Sequence, residues 1–155
     1  MPLNQPRDQN PEPKILVITT MHCSYPGVDN AGQQHLEYPP NSFVIEVPSP
    51  VMLPERFFYR SFRKGIDGIL IFSCGEECPF PGGFHQLSIR VNKMMQALKA
   101  TYNLDPQRIK LTSICSVCAK HVVKHIKEMD THLRTLPPVR DALVQHGVEP
   151  LLVTK

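Results

Sequence analysis

Two short apolar segments constrain the fold of this chain more than any other feature. They are KILVITT at residues 14–20 and ILIFS at residues 69–73, and both are rich in β-branched residues. Apolar runs of this length and composition are typical of parallel strands that are buried on both faces. Segments 43–47 and 109–114 are shorter or more mixed but fit the same role. The sequence therefore predicts four strands.

Helical periodicity follows three of these strands. Segment 54–64 is predicted to be a helix because proline stands at its first turn and Gly65 follows its end. Apolar residues recur at helical spacing in segment 86–102, and again from Ala119 to Leu136, so each segment has one apolar face. The segment between the first two strands lacks such a pattern and is predicted to be a loop.

This order of elements predicts an α/β fold. We expect a single-domain, open, mostly parallel sheet of the flavodoxin or Rossmann type, with helices on both faces. A chain of 155 residues is long enough to bury the core of one such domain. Residues 14–136 are assigned to this domain.

The two ends of the chain differ from the middle. Residues 1–13 contain four prolines and no apolar periodicity, which predicts a flexible N-terminal arm. Residues 137–155 are predicted to be a C-terminal extension with a short helix at 140–146 and an apolar tail at 151–153. The tail is expected to dock either on a partner or on its own domain.

Composition excludes several classes of function. The formal charge is +3 and the basic residues are dispersed, so we expect no nucleic-acid partner. No apolar run approaches the ~18 residues of a membrane helix. Five cysteines with no leader-like segment favour a reducing cytoplasm over a disulfide framework. Phosphate-binding and nucleophile-elbow motifs are absent from the sequence, so no catalysis by this chain alone is expected.

The cysteines all follow predicted strands. Cys23 follows the first strand, Cys74 and Cys78 follow the third, and Cys115 and Cys118 follow the fourth. Because the carboxyl ends of parallel strands share one edge of the sheet, these residues are expected to converge there. The sequence therefore predicts a metal centre in which four of the five cysteines are ligands.

Spacing alone leaves the chemistry of this centre open. Four thiolates suit zinc as well as an iron-sulfur cluster. His121 and His125 follow Cys118 at helical spacing, which allows mixed ligation. A zinc finger is excluded because the spacer between its cysteine and histidine pairs is missing. Cys115 and Cys118 also have the C-x2-C spacing of a redox dithiol.

Several separate blocks of this sequence resemble one family. In order, they are CSY at 23–25, DNAG at 29–32, YPPN at 38–41, KGIDGIL at 64–70, CGEEC at 74–78, Gly83, Arg90 and LDPQRI at 104–109. Together, between residues 13 and 136, they resemble the delta subunit of methyl-viologen-reducing hydrogenase.

The resemblance implies a cofactor and partners. It implies a [2Fe-2S] cluster, with [4Fe-4S] or zinc as alternatives, in a cytoplasmic hetero-oligomeric complex of anaerobes. In such a complex the protein passes electrons between a hydrogenase or similar donor and a heterodisulfide-reductase-A-like flavoprotein.

The chain departs from the family pattern at the cysteines. Thr20 and Ser49 stand where the family has thiols, and Cys115 and Cys118 stand where it usually has none.

These departures lead to a hypothesis about ligation. Cys74 and Cys78 would form one pair, and two further ligands would come from Cys23, Cys115 and Cys118. The alternatives are a docking subunit with zinc or no metal, and a thiol-disulfide oxidoreductase.

Overall fold

The computed structural model describes residues 12–149. Within this range a four-stranded sheet has the order β2-β1-β3-β4, and every neighbouring pair is parallel. The strands are β1 (Ile15–Thr20), β2 (Ser42–Val47), β3 (Gly68–Ser73) and β4 (Ile109–Ser113). The helices are α1 (Ser24–Gln33), α2 (Glu55–Arg63), α3 (Gly83–Tyr102), α4 (Ala119–Arg134) and α5 (Val139–Gln145). The predicted α/β fold with a parallel sheet is confirmed.

Helix α1 corrects the prediction of a loop between the first two strands. Its buried residues are Ser24, Gly27, Val28 and Ala31, which have helical spacing but are mostly small. Small side chains give a weak apolar signal in the sequence, so periodicity alone did not detect this helix. Their size lets α1 lie close to its neighbours.

Two apolar layers cover the sheet. Alternate residues of β3 point to opposite faces, and its four large apolar residues are fully buried. Ile69 and Ile71 pack with α2, α3 and α5, whereas Leu70 and Phe72 pack with α1 and α4. The strand is therefore apolar on both sides because helices cover both faces.

Part of the predicted C-terminal extension packs on its own domain. Val139 and Leu143 of α5 are buried in the same core as α2 and α3. Most of the predicted N-terminal arm and the apolar tail at 151–153 lie outside the described residues. No helix in the described range is long and apolar enough to cross a membrane.

A buried polar network joins the elements at the amino edge of the sheet. The Asp67 carboxylate accepts hydrogen bonds from the backbone N–H groups of Lys14 (2.9 Å) and Val139 (2.8 Å). The Arg108 guanidinium, 2% exposed, donates to the carbonyl oxygens of Asp67 (3.1 Å) and Pro137 (2.6 Å). Burial lowers the pKa of Arg108, while the charge of Asp67 opposes this change. The network ties the starts of β1, β3 and β4 to α5.

The Asp67→Asn substitution tests this network. The amide would place an NH2 group where a backbone N–H now donates, leaving one buried donor without an acceptor. We expect a loss of about 1–3 kcal/mol in the free energy of unfolding. The measurement is urea unfolding under reducing conditions.

Asp29→Asn is the matched control, because Asp29 is exposed and accepts from the neighbouring Gln33 side chain. Its effect should stay within about 0.5 kcal/mol. Equal stability of the two variants would contradict the role of Asp67.

Candidate metal centre

Four of the five cysteines line one cleft at the carboxyl edge of the sheet. The cleft has a volume of about 770 Å³ and contains Cys23, Cys74, Cys115 and Cys118. These residues come from the ends of β1, β3 and β4, the three neighbouring strands on one side of the sheet. The structure thus brings together residues that are up to 95 positions apart in the chain, counted from Cys23 to Cys118.

The four sulfur atoms are arranged as two pairs. The sulfurs of Cys23 and Cys74 lie within bonding distance of each other, and their Cα atoms are 5.8 Å apart. The same holds for Cys115 and Cys118, whose Cα atoms are 5.1 Å apart. One pair therefore bridges two strands, and the other lies within a single loop after β4.

Three of these cysteines stand at the start of helical segments. Cys23 is the N-cap residue of α1 and Cys118 is that of α4, and Cys74 precedes a 3-10 turn at Gly75–Glu77. None of these side chains makes a capping hydrogen bond. The positive ends of α1 and α4 therefore lie next to the cleft.

Hydrogen bonds to one carbonyl group position Cys23 beside Cys74. The carbonyl oxygen of Phe72 accepts from the hydroxyl groups of Thr20 (3.1 Å) and Ser24 (2.8 Å). The Ser24 oxygen also accepts from the backbone N–H of Thr20 (2.7 Å). Both hydroxyl-bearing residues are buried, which makes these bonds costly to lose.

Two glycines allow close approach of the backbone around the cleft. A Cβ atom on Gly27 of α1 would lie 2.7 Å from the carbonyl oxygen of Cys115. A Cβ atom on Gly75 would lie 2.6 Å from the hydroxyl oxygen of Ser113, and Gly75 has a φ of +65°. The Cys115 loop therefore packs directly on α1, and the Cys74 loop packs on the end of β4.

Cys78 lies apart from the other four cysteines. It is a free thiol and is not among the residues that line the cleft. Its sulfur faces the start of α3, where a Cβ atom on Gly83 would lie 3.2 Å away. The 3-10 turn at Gly75–Glu77 separates it from Cys74.

Neither histidine that the spacing allowed for mixed ligation lines the cleft. His121 is exposed, and His125 packs near Lys110 and Glu128. Burial and the charge of Lys110 lower the pKa of His125. His22, which was not singled out from the sequence, lines the cleft instead. In the sequence, the feature that could have pointed to His22 was its position directly before Cys23.

The cleft brings together cysteine side chains, which are common ligands of both zinc and iron-sulfur centres. Across residues 12–149, no three His, Cys, Asp or Glu side chains surround one point as a mononuclear site requires. A two-iron cluster has a different requirement, because each iron is held by two protein ligands. Once reduced, the four cysteines of the cleft would supply that number of ligands.

A second concavity, of about 650 Å³, lies along the outer edge of β4 between α3 and α4. Its lining includes Lys110 and Glu128, which form an ion pair at 3.3 Å. Its lining contains no cysteine. This concavity therefore offers no thiol ligand.

Comparison with known proteins identifies a matching family. The family model described as "Methyl-viologen-reducing hydrogenase, delta subunit" matches residues 15–137. The D-type iron-sulfur subunit of the F420-non-reducing hydrogenase from Archaeoglobus profundus is 26% identical over 130 residues, covering 83% of this chain and 94% of the relative. The D-type iron-sulfur subunit of the vhc F420-non-reducing hydrogenase from Methanococcus voltae is 31% identical over 91 residues. This match covers 58% of this chain and 63% of the relative.

A longer relative contains a similar segment. The A-type subunit of the ferredoxin/F420H2-dependent CoB-CoM heterodisulfide reductase from Methanosarcina acetivorans is 24% identical over 139 residues. The match covers 89% of this chain but 17% of that protein. A domain similar to this chain is thus part of a much larger polypeptide.

Gly27→Ala tests the packing of the Cys115 loop on α1. The added Cβ would contact the Cys115 carbonyl group, so either α1 or the loop must move. We expect a loss of about 1–3 kcal/mol in the free energy of unfolding, as for other overpacked sites. The measurement is urea unfolding of the variant and the unchanged protein.

Gly32→Ala is the matched control in the same helix, because a Cβ atom there would meet nothing within 4 Å. Replacing an unhindered helical glycine with alanine should stabilise the protein by about 0.5–1 kcal/mol. Two variants of equal stability would show that α1 and the loop are not in close contact.

Proposed function

The chain belongs to the family of the methyl-viologen-reducing hydrogenase delta subunit, and from this we propose that it is an iron-sulfur electron-transfer subunit. It would work in a cytoplasmic oxidoreductase complex of an anaerobe and would catalyse no reaction on its own. Electrons would pass between a hydrogenase-like or other donor module and a heterodisulfide-reductase-A-like flavoprotein. The observation that carries this proposal is that four cysteines from three strand ends line one cleft.

A [2Fe-2S] cluster is the cofactor that this cleft fits best, and four of the five cysteines would hold it. When bound, the cluster supplies a one-electron carrier. Membership of the delta-subunit family favours the iron-sulfur cluster, although four thiolates would also satisfy structural zinc. A [4Fe-4S] cluster would use the same four cysteines, one on each iron, and the iron content per chain separates the two cluster types.

Other groups of the chain would tune the cluster. The N-termini of α1 and α4 face the cleft through Cys23 and Cys118, and their partial positive charge favours the more reduced, more negative state. Glu76 and Glu77 also line the cleft, and their negative charge has the opposite effect. The protein thus places opposing charges around one site.

The surface around the cleft suits a protein partner. Eight large apolar side chains are exposed among the described residues, and five of them follow the carboxyl ends of strands. These five, here called the apolar rim, are Met21, Tyr25, Met52, Phe80 and Val117. Each strand is followed by at least one of them. Exposed apolar residues grouped on one side of a small domain are typical of an interaction surface.

The longer relative supports the choice of partner. In the Methanosarcina acetivorans protein, a domain similar to this chain is joined to a much larger remainder. Covalent attachment in that protein indicates that such a domain works beside the rest of the reductase polypeptide. We therefore place a separate polypeptide of that kind against the apolar rim.

A thiol-disulfide function is the second candidate. It is favoured by the C-x2-C spacing of Cys115 and Cys118 and by the Cα–Cα distances of both pairs, 5.8 Å and 5.1 Å, which lie in the range that a disulfide spans. Oxidation of each pair would release two protons and two electrons to an acceptor and form one disulfide. This candidate requires no metal, so metal analysis separates it from the first.

Metal and sulfide analysis tests the proposed cofactor. Protein purified without oxygen should contain about two iron and two acid-labile sulfide per chain, as a [2Fe-2S] cluster requires. After reduction with dithionite it should give the electron paramagnetic resonance spectrum of such a cluster. Zinc in place of iron would contradict the proposal, and metal-free protein with reversible dithiol chemistry would favour the second candidate.

Val117→Glu tests the apolar rim. Val117 is 78% exposed, so the substitution should not disturb the core, but it would bury an unpaired carboxylate under a bound partner. We expect binding to a heterodisulfide-reductase-A-like flavoprotein to weaken by about tenfold, or about 1.4 kcal/mol. The measurement is a titration of labelled protein with that flavoprotein.

Val144→Glu is the matched control, because Val144 is 60% exposed on α5, which begins at the opposite edge of the sheet. Its affinity for the flavoprotein should equal that of the unchanged protein. Iron content is measured in both variants, so that cluster loss is not mistaken for weaker docking. If both variants contain the cluster and bind the flavoprotein equally well, the partner does not dock on the apolar rim.

A further inference from the structure

The position of Cys78 separates the family-like C-x3-C motif into two different environments. Cys74 lines the cleft and its sulfur is next to that of Cys23. Cys78 is outside the residues that line the cleft, and its sulfur faces Gly83 at the start of α3. Proximity in the sequence therefore does not place these two thiols at one point.

The backbone of the loop explains this separation. Gly75 has a positive φ and its N–H donates to the Ser73 hydroxyl group at 3.1 Å. The N–H of Cys78 then donates to the Gly75 carbonyl oxygen at 3.2 Å, which closes the 3-10 turn. Glu77 and Pro79, on either side of Cys78, still line the cleft, whereas the Cys78 sulfur faces Gly83 at the start of α3.

Contacts around the other loops hold the four remaining thiols in the cleft. The Phe72 carbonyl group fixes the exit of β1 beside that of β3, and so holds Cys23 next to Cys74. Gly27 allows the Cys115 carbonyl group to pack on α1, which begins directly after Cys23. The N–H of Cys118 donates to the Cys115 carbonyl oxygen at 3.1 Å, which holds the second pair in one turn.

We propose that Cys23 and Cys74 hold one iron, that Cys115 and Cys118 hold the other, and that Cys78 is not a ligand. This assignment rests on the proposed function, because it names the ligands of the same cluster. It differs from the hypothesis that Cys74 and Cys78 act as a pair. The loop after β4, which the resemblance left without a role, provides half of the ligands.

Matched cysteine-to-serine variants test the assignment by metal content and spectroscopy. Cys78→Ser should keep the iron and sulfide content of the unchanged protein, and its visible and electron paramagnetic resonance spectra should be the same. Cys118→Ser and Cys74→Ser should each lose most of the iron, or keep it with changed spectra because one ligand has become an oxygen. All variants are purified without oxygen and compared by thermal unfolding.

The results distinguish failure of the assignment from failure of the proposed function. If the unchanged protein holds a cluster and Cys78→Ser loses it or alters its spectra, the assignment is overturned while the function stands. Unaltered spectra in Cys118→Ser would overturn it as well. An unchanged protein without iron would overturn both.

A measurement on the cluster-free protein tests the pairing independently. Mild oxidation with diamide, followed by alkylation and peptide mass spectrometry, should give one disulfide between Cys23 and Cys74 and another between Cys115 and Cys118. Cys78 should carry the alkyl group in most molecules. A predominant disulfide that includes Cys78 would contradict the pairing.

Discussion

The carbonyl oxygen of Phe72 is the point on which the geometry of the cleft depends. It lies at the end of β3 and accepts hydrogen bonds from two hydroxyl groups that flank the turn after β1, those of Thr20 and Ser24. A carbonyl group at a strand end needs a partner from outside the strand ladder, and it is costly to bury without one. Because Cys23 and Cys74 lie next to these residues, satisfying one backbone acceptor also brings two thiols together.

The opposite edge of the sheet has a different physical role. There Asp67 and Arg108 make buried hydrogen bonds to the backbone at the starts of the strands and at the start of α5. Side-chain networks of this kind are stabilising when every partner is satisfied and destabilising when one is removed. The amino edge is thus closed by buried polar contacts. The carboxyl edge keeps a cleft, exposed apolar side chains and four thiols, which are the properties of a binding surface.

From general rules, the sequence predicted the fold, and it predicted that the cysteines would converge on one sheet edge, where four of the five line one cleft. Apolar β-branched segments identified the strands, and parallel pairing placed their ends at one edge. The rules did not predict α1, since its buried face consists of Ser24, Gly27 and other small residues. Nor did they predict the separation of Cys74 from Cys78, because it depends on the conformation of Gly75. The apolar rim was not predicted either, since its members are dispersed in the sequence and share only the sheet edge.

The strand order shows where in the sheet the departures from the family pattern lie. The positions at which this chain lacks family thiols are Thr20 and Ser49, at the ends of β1 and β2, and both are buried. Thr20 bonds to the Phe72 carbonyl group, so a hydroxyl group has a structural role there. The additional thiols follow β4, on the other side of β3.

In the proposed assignment the cluster is therefore centred near β3 and lies farther from β2. The protein surface nearest to the cluster would then be the loop after β4, which exposes Val117. A partner that accepts electrons from this cluster would have to contact that loop. The proposed additional ligands and the exposed Val117 thus belong to the same loop after β4.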